Sequence, residues 1–371
     1  MEIPKEEFLE RIENVRMKMK EEKYDVLIAY SGNRDYNPGN SMYLANYYGI
    51  IEEQTMVVVT ASDAVLLSDQ VWTEAKMKCV SPIPCRSTTS PENVIAELLH
   101  ASNVQRGKMG IAGWNIFPAR LYLEIKKDFP ELEIEGTDIL MELRMVKSKN
   151  EISMMRKASR ITDMAFEKAM NTVKVGRTER EVIAAAEHVI RLSGAEPSWQ
   201  HEVGSGVQRT ILLGPNPSEK KLRKGELVMV DMGATYKGYH GDVTRMKPIG
   251  RIAEDFEDAL ELELESLKKA ISVIRPGVRP REVHEAGRIP IEEAGYNYMG
   301  TGHGNGLDEH EWPWLGEWHG TKTDVKLASG MVLCVEPIFI TPELGCIHLE
   351  DMVLVTQSSH EVLTKVPKVF W

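Results

Sequence analysis

Five residues in the C-terminal half of the chain, Asp231, Asp242, His303, Glu336 and Glu350, make a complete donor set for divalent cations. Four carboxylates and one imidazole suit two adjacent metal ions. Such a pair turns water into a nucleophile at neutral pH. Each residue alone carries little weight, because acidic side chains on hairpins are usually solvated. Their settings add the weight. Asp231 follows Leu227-Val228-Met229-Val230, and Glu336 follows Val332-Leu333-Cys334-Val335. Carboxylates embedded in apolar strands are buried and need partners, and metal ions serve.

Strand hairpins must position these carboxylates. Leu227 to Gly233 and Tyr239 to Met246 both alternate as strands, with Lys237-Gly238 as the turn. That turn sets Asp231 opposite Thr244 and puts Asp242 on the same face, two residues along. Met331 to Ile340 and Ile347 to Thr356 read as a second hairpin around Glu343-Leu344-Gly345. In that register Glu336 opposes Met352, with Glu350 on its face. Pro337 interrupts the ladder there.

His303 sits in the glycine-rich stretch Gly300-Thr-Gly-His-Gly-Asn-Gly-Leu307, read as part of a loop region from Gly300 to Gly320. His310 lies seven residues further on. It could donate a hydrogen bond to a substrate oxygen, or be a surface histidine. Trp312, Trp314 and Trp318 could line an apolar or cation-binding pocket, or serve as core or interface aromatics. Arg209 could meet a substrate carboxylate or form a surface ion pair. The chain has no GxSxG elbow, P-loop, dinucleotide fingerprint or HExxH pair.

The remaining elements define an α/β (α+β) protein. The first 140 or so residues alternate helix and strand: a helix over Lys5 to Glu21, a strand over Tyr24 to Tyr30, and a hairpin of Thr55 to Thr60 with Ala64 to Ser68. A helix near Pro91 to His100, a strand near Met109 to Ala112 and a helix over Pro118 to Lys127 follow, which predicts a mixed sheet. A charged boundary at Arg144 to Lys149 precedes helices at Glu151 to Asn171 and Glu179 to Leu192. Further helices are expected at Asp255 to Ile274 and Pro280 to Glu293. Two domains are therefore expected, 1–145 and 146–371.

Composition excludes some functions. A net charge of −11 argues against a nucleic-acid-binding face. No apolar run approaches the roughly 18 residues that span a bilayer. The acidic start is no signal peptide. Cys79, Cys85, Cys334 and Cys346 lack CxxC spacing and read as reduced thiols, so a cytoplasmic location is expected, without membrane or nucleic-acid partners.

The order of these motifs resembles the pita-bread metallohydrolases: prolidase, aminopeptidase P, methionine aminopeptidase and creatinase. The matching residues are Asp231…Gly238-Tyr239…Asp242-Val243-Thr244-Arg245, Gly302-His303-Gly304…Gly306-Leu307…His310-Glu311…Pro313, Glu336-Pro337 and Glu350-Asp351. Leu143-Arg144…Val146-Lys147-Ser148…Glu151-Ile152 is similar to the usual opening of the catalytic domain. The layout is nearest Xaa-Pro dipeptidase, with a creatinase-like N-terminal α/β domain ahead of a pita-bread catalytic domain.

The resemblance implies two divalent ions (Mn, Co, Zn or Fe), with Asp242 and Glu350 bridging them. Asp231 would bind one, and His303 and Glu336 the other. It implies a peptidase that cleaves Xaa-Pro dipeptides or short peptides through a bridging hydroxide. Glu336 would shuttle the proton and His310 would stabilise the oxyanion. A homodimer is also implied. The retained donor set argues against a metal-free, creatinase-like mechanism and against a non-catalytic binding protein.

Two departures keep an alternative open. Proline-specific relatives carry a histidine shortly before the first-aspartate hairpin, and Ser205 to Pro217 contains none. Asn305 stands where the peptidases have an apolar residue. The alternative keeps the metals but acts on a small non-peptide metabolite. It would be an ectoine-type amide or cyclic amidine hydrolase, or a lyase on a zwitterion such as dimethylsulfoniopropionate.

Overall fold

The computed structural model describes residues 3–32, 37–50, 52–198, 201–318, 321–322 and 325–370, with backbone alone for 317–318 and 321–322. The chain divides into two compact units, Met1–Arg144 and Met145–Trp371. Both mix helices and strands.

The first unit is built on a six-stranded sheet. Its strands are β1 (Val26–Ser31), β2 (Thr55–Thr60), β3 (Ala64–Ser68), β4 (Cys85–Ser87), β5 (Gly107–Ala112) and β6 (Leu132–Gly136). They lie in the order β4-β3-β2-β1-β5-β6. β2 runs antiparallel to β1 and β3, whereas β5 runs parallel to β1 and β6, so the sheet is mixed. Helices α1 (Lys5–Glu22), α2 (Pro91–Ala101) and α3 (Ala119–Asp128) belong to the same unit. Phe8, Ile12, Val15 and Met19 of α1 are buried, at the spacing of one helical face.

In the second unit two capped helices come first. Ser148 and Glu151 form a capping box at the start of α4 (Lys149–Thr172), and Thr178 and Glu181 do so for α5 (Glu179–Leu192). α4 also holds the first carboxylate hairpin. Its Thr162 accepts the Ala234 N–H at 3.0 Å, and Glu151 accepts the Tyr239 hydroxyl at 3.0 Å. The hairpin packs so tightly on α4 that a Cβ at Gly241 would come 2.6 Å from the Thr162 hydroxyl. Only glycine fits there.

The strands that concern the site are β7 (Glu202–Ser205), β8 (Leu227–Met232) and β9 (Val243–Pro248), in the antiparallel order β9-β8-β7. Helices α6 (Glu254–Ser272) and α7 (Pro280–Glu293) follow. The second sheet comprises β10 (Tyr298–Gly304), β11 (Val332–Thr341), β12 (Gly345–His348), β13 (Asp351–Val355) and β14 (His360–Val362). β11 lies between β10 and β13 and also pairs with β12. An apolar cluster including Leu260, Leu267, Leu333 and Phe339 binds this sheet to α6 and α7. Apolar burial of this kind stabilises by about 25 cal/mol per Å².

Candidate metal centre

The first hairpin keeps its expected register. Asp231 pairs with Thr244, and Lys237 (φ 53) and Gly238 (φ 85) make the left-handed turn. The second hairpin differs. Its loop is Pro342-Glu343-Leu344, closed by Thr341 and Gly345, one residue earlier than the sequence predicts. Pro342 has no N–H for a ladder and falls into the loop. The pairing slips by two, so Cys334, not Glu336, faces Met352. A slip of two preserves the face, and Glu336 and Glu350 still converge. Opposite Pro337 the partner strand breaks between His348 and Asp351. There the Glu350 N–H turns to the Thr244 carbonyl at 3.1 Å, joining the two hairpins.

His303 is also placed differently. The glycine-rich stretch is not a loop at this point: His303 lies on β10, paired with Cys334. Gly302 (φ 128) makes this approach feasible, since a Cβ would stand 2.0 Å from the Cys334 carbonyl oxygen. The Nδ1 of His303 is 2.9 Å from the Gly304 carbonyl oxygen, which can only accept. A proton therefore sits on Nδ1, and Nε2 is the nitrogen that faces the carboxylates.

All five expected donors line one cavity of about 340 Å³. Donor atoms of Asp242, His303, Cys334 and Glu350 lie within 4.8 Å of one another, and so do those of Asp231, His348 and Glu350. Glu350 belongs to both groups. Its Oε2 accepts the Thr244 hydroxyl at 3.0 Å, while its buried Oε1 has no hydrogen-bond partner among the described residues. Glu336 stands between two imidazoles, with Oε1 3.3 Å from His303 Nε2 and Oε2 3.1 Å from His348 Nε2.

Crowding of acids shows in their proton affinities. Burial pushes Asp231 up to about 6, and burial with Glu350 nearby pushes Asp242 well above the carboxylate range. Glu350 rises in the same way, through burial and Glu336. Burial also favours a proton on Glu336, but His303 and His348 more than offset it and hold Glu336 low. Buried carboxylates at such density, one with an orphaned oxygen, fit divalent ions.

His310 lines the cavity, its ring centroid 4.2 Å from that of His303. Desolvation and the neighbouring His303 push it down to about 4, so it is neutral at pH 7. Its segment is anchored from below. Glu311 donates its N–H to the Gly304 carbonyl at 2.9 Å and forms a buried 2.7 Å ion pair with Lys147.

Two expected substrate contacts are elsewhere. The Arg209 guanidinium is held by Glu179, at 3.2 Å from Nε and 3.1 Å from Nη2, and does not line the cavity. Trp312 packs against the hydrophobic cluster of the second sheet, and Trp314 takes the cavity wall instead. The Trp318 side chain and residues 319–320 lie outside the described residues. The stretch without a histidine contributes Leu213 to the wall. Asn305 is buried and donates to the Cys334 thiol at 3.4 Å.

Four titratable lining residues are missed by sequence reasoning: Glu202, His284, Glu309 and His348. Glu202 pairs with Asp231 across β7 and β8, and burial and that neighbour push its carboxyl up to about 9. Glu309 belongs to the His310 segment. His348 is two residues from Glu350, a spacing that puts both on one face of an extended chain and was a legible signal.

The chain belongs to metallopeptidase family M24, whose model matches residues 153–357, and residues 11–146 match the creatinase/prolidase N-terminal domain. It is thus a metallohydrolase with a pita-bread catalytic fold and implied divalent ions. It is 35% identical to the Xaa-Pro dipeptidase of Pyrococcus furiosus over 246 residues, which is 65% of this chain and 68% of that protein. The prolidase structure from Pyrococcus horikoshii OT3 superposes with a TM-score of 0.84 at 28% identity, covering 98% of this chain and 100% of that one. The Xaa-Pro dipeptidase structure from Bacillus anthracis gives the same TM-score and identity, over 98% and 99%.

Proposed function

We propose that the protein is a dinuclear metallopeptidase that hydrolyses Xaa-Pro dipeptides or short peptides. The observation that carries this reading is the pair of donor groups sharing Glu350 on the wall of one cavity. Asp231, Asp242, His303, Glu336 and Glu350 would hold the ions. Two bound ions supply water made acidic at neutral pH and a Lewis acid for the scissile carbonyl. Glu336, held low by its two imidazoles, is ionised and positioned to take a proton from water. Neutral His310 donates a hydrogen bond to the developing oxyanion. Leu213, Met299, Trp314 and Ile338 give the cavity an apolar wall.

The metal is Mn, Co, Zn or Fe, which all accept this oxygen and nitrogen set. A homodimer is proposed from the family resemblance. The four free thiols support a reducing, cytoplasmic compartment. The division into domains 1–145 and 146–371 is a proposal that the two compact units support.

The test is hydrolysis of an Xaa-Pro dipeptide panel by metal-stripped enzyme, before and after refilling with each metal. Metal-dependent cleavage is expected. One observation favours the small-metabolite reading. No Lys or Arg stands among the described lining residues to meet a dipeptide's free carboxylate. If protein holding two metals leaves every dipeptide intact but cleaves a small cationic amide, that second reading replaces the first.

A further inference from the structure

His348 ends β12, two residues before Glu350, and is 2% exposed. Among the described residues, neither of its ring nitrogens has a hydrogen-bond partner. A buried imidazole in that state has given up its hydrogen bonds to water, a condition that calls for an unseen ligand. The Nε2 stands 3.1 Å from Glu336 Oε2. The backbone fixes the residue: its N–H meets the Met246 sulfur at 3.3 Å, and it pairs with Ile338 across the ladder.

We propose that His348 is a sixth metal ligand, giving the second ion an imidazole of its own. The proposal rests on the dinuclear reading above. One donor group holds His303 with Asp242 and Glu350, and the other holds His348 with Asp231 and Glu350. Each group thus contains one imidazole and one aspartate, with the glutamate common to both.

Distances agree. Two ligands bonded to one ion at about 2.1 Å, at tetrahedral or octahedral angles, stand roughly 3.0–3.4 Å apart. His348 and Glu336 are 3.1 Å apart, and His303 and Glu336 are 3.3 Å apart. Glu336 therefore relates to His348 as it does to His303. The competing role for His348 is a plain countercharge, an imidazolium that offsets Asp231 and Glu336.

Full-length, metal-stripped protein titrated with Co(II) separates these roles. Calorimetry gives the affinity and visible absorption gives the coordination of each ion. His348→Gln removes ligand and charge, whereas His348→Arg keeps a positive charge and cannot ligate. Both variants are expected to bind one of the two ions at least about tenfold more weakly and to alter its absorption. Metal-free melting temperatures report whether each variant folds. X-ray absorption of Co-loaded wild-type protein needs no variant. It should count one imidazole per ion on average, against one per two ions if His303 serves alone.

Wild-type affinities and spectrum in His348→Arg, or the lower imidazole count, would overturn the assignment and leave the dinuclear reading intact. Wild-type protein that takes up no pair of ions would remove both.

Discussion

Asp242 and Glu350 are buried acids that the metal-free protein holds at a cost. Their replacement should therefore separate function from folding. Asp242→Ala and Glu350→Ala are expected to abolish turnover and uptake of the ion pair, while the metal-free melting temperature stays level or rises. Fully active Asp242→Ala protein would end the metal mechanism. Glu179 is the opposite case, an acid that the fold favours ionised. Burial opposes its charge, but hydrogen bonds from Ser218, Ser205 and Arg209 hold it below its ordinary 4.5. A folded value below the unfolded one stabilises above pH 4.5, and the gain fades as pH falls through the lower value. Glu179→Gln should cost about 1.5–3 kcal/mol at pH 7, with the gap to wild type closing in acid denaturation curves below pH 4.5. Arg209 belongs to this network. Its sequence shows a cation near the site, but the partner lies thirty positions away on α5. Of the two readings open to each, Arg209 takes the ion pair and Trp312 the core position, not a place on the cavity wall.

At the scale of elements, the two hairpins show what a local pattern carries. Lys237-Gly238 dictates one turn type, so the pairing of Asp231 with Thr244 follows from nearby residues alone. In the second hairpin, two three-residue loops compete, and the imide of Pro342 selects the earlier one. Both registers keep the same face, which is why the donors were legible although their opposite numbers were not. His303 was assigned to a loop because glycines dominate its surroundings. The carbonyl of Cys334 that requires Gly302 to be glycine comes from β11, invisible in the local sequence. The segment carrying His310 offers a test at this scale. Lys147→Met breaks the buried Lys147–Glu311 ion pair. It should cost about 3–5 kcal/mol in urea denaturation and lower kcat more than it changes KM. A Lys147→Met, Glu311→Gln double variant should recover part of the stability. An unchanged kcat in the single variant would show that the pair does not position His310.

For the molecule as a whole, the concentration of buried acids governs its response to pH. Asp231, Asp242 and Glu350 bind protons more tightly in the folded metal-free protein than in the unfolded chain. Stability from that source is complete below the ordinary carboxylate range and is lost as pH rises through the folded values, about 6 for Asp231. Divalent ions compete with those protons. The rise in melting temperature on saturation with Mn should therefore grow between about pH 5 and pH 8. A rise that does not vary with pH would show that these acids are not the ligands.

The candidate donors also have a history in time. Asp231 and Asp242 leave the ribosome long before Glu336, His348 and Glu350, and β8 and β9 alone offer no enclosure for an ion. The centre comes into being only when β11 to β13 have paired, a late, long-range event. A metal cannot template the earlier folding, and its identity is decided afterwards, in competition among whatever ions the finished protein meets. Copper and zinc lead that competition on affinity alone. The cell's metal supply, as much as the protein's geometry, then decides which enzyme this chain becomes.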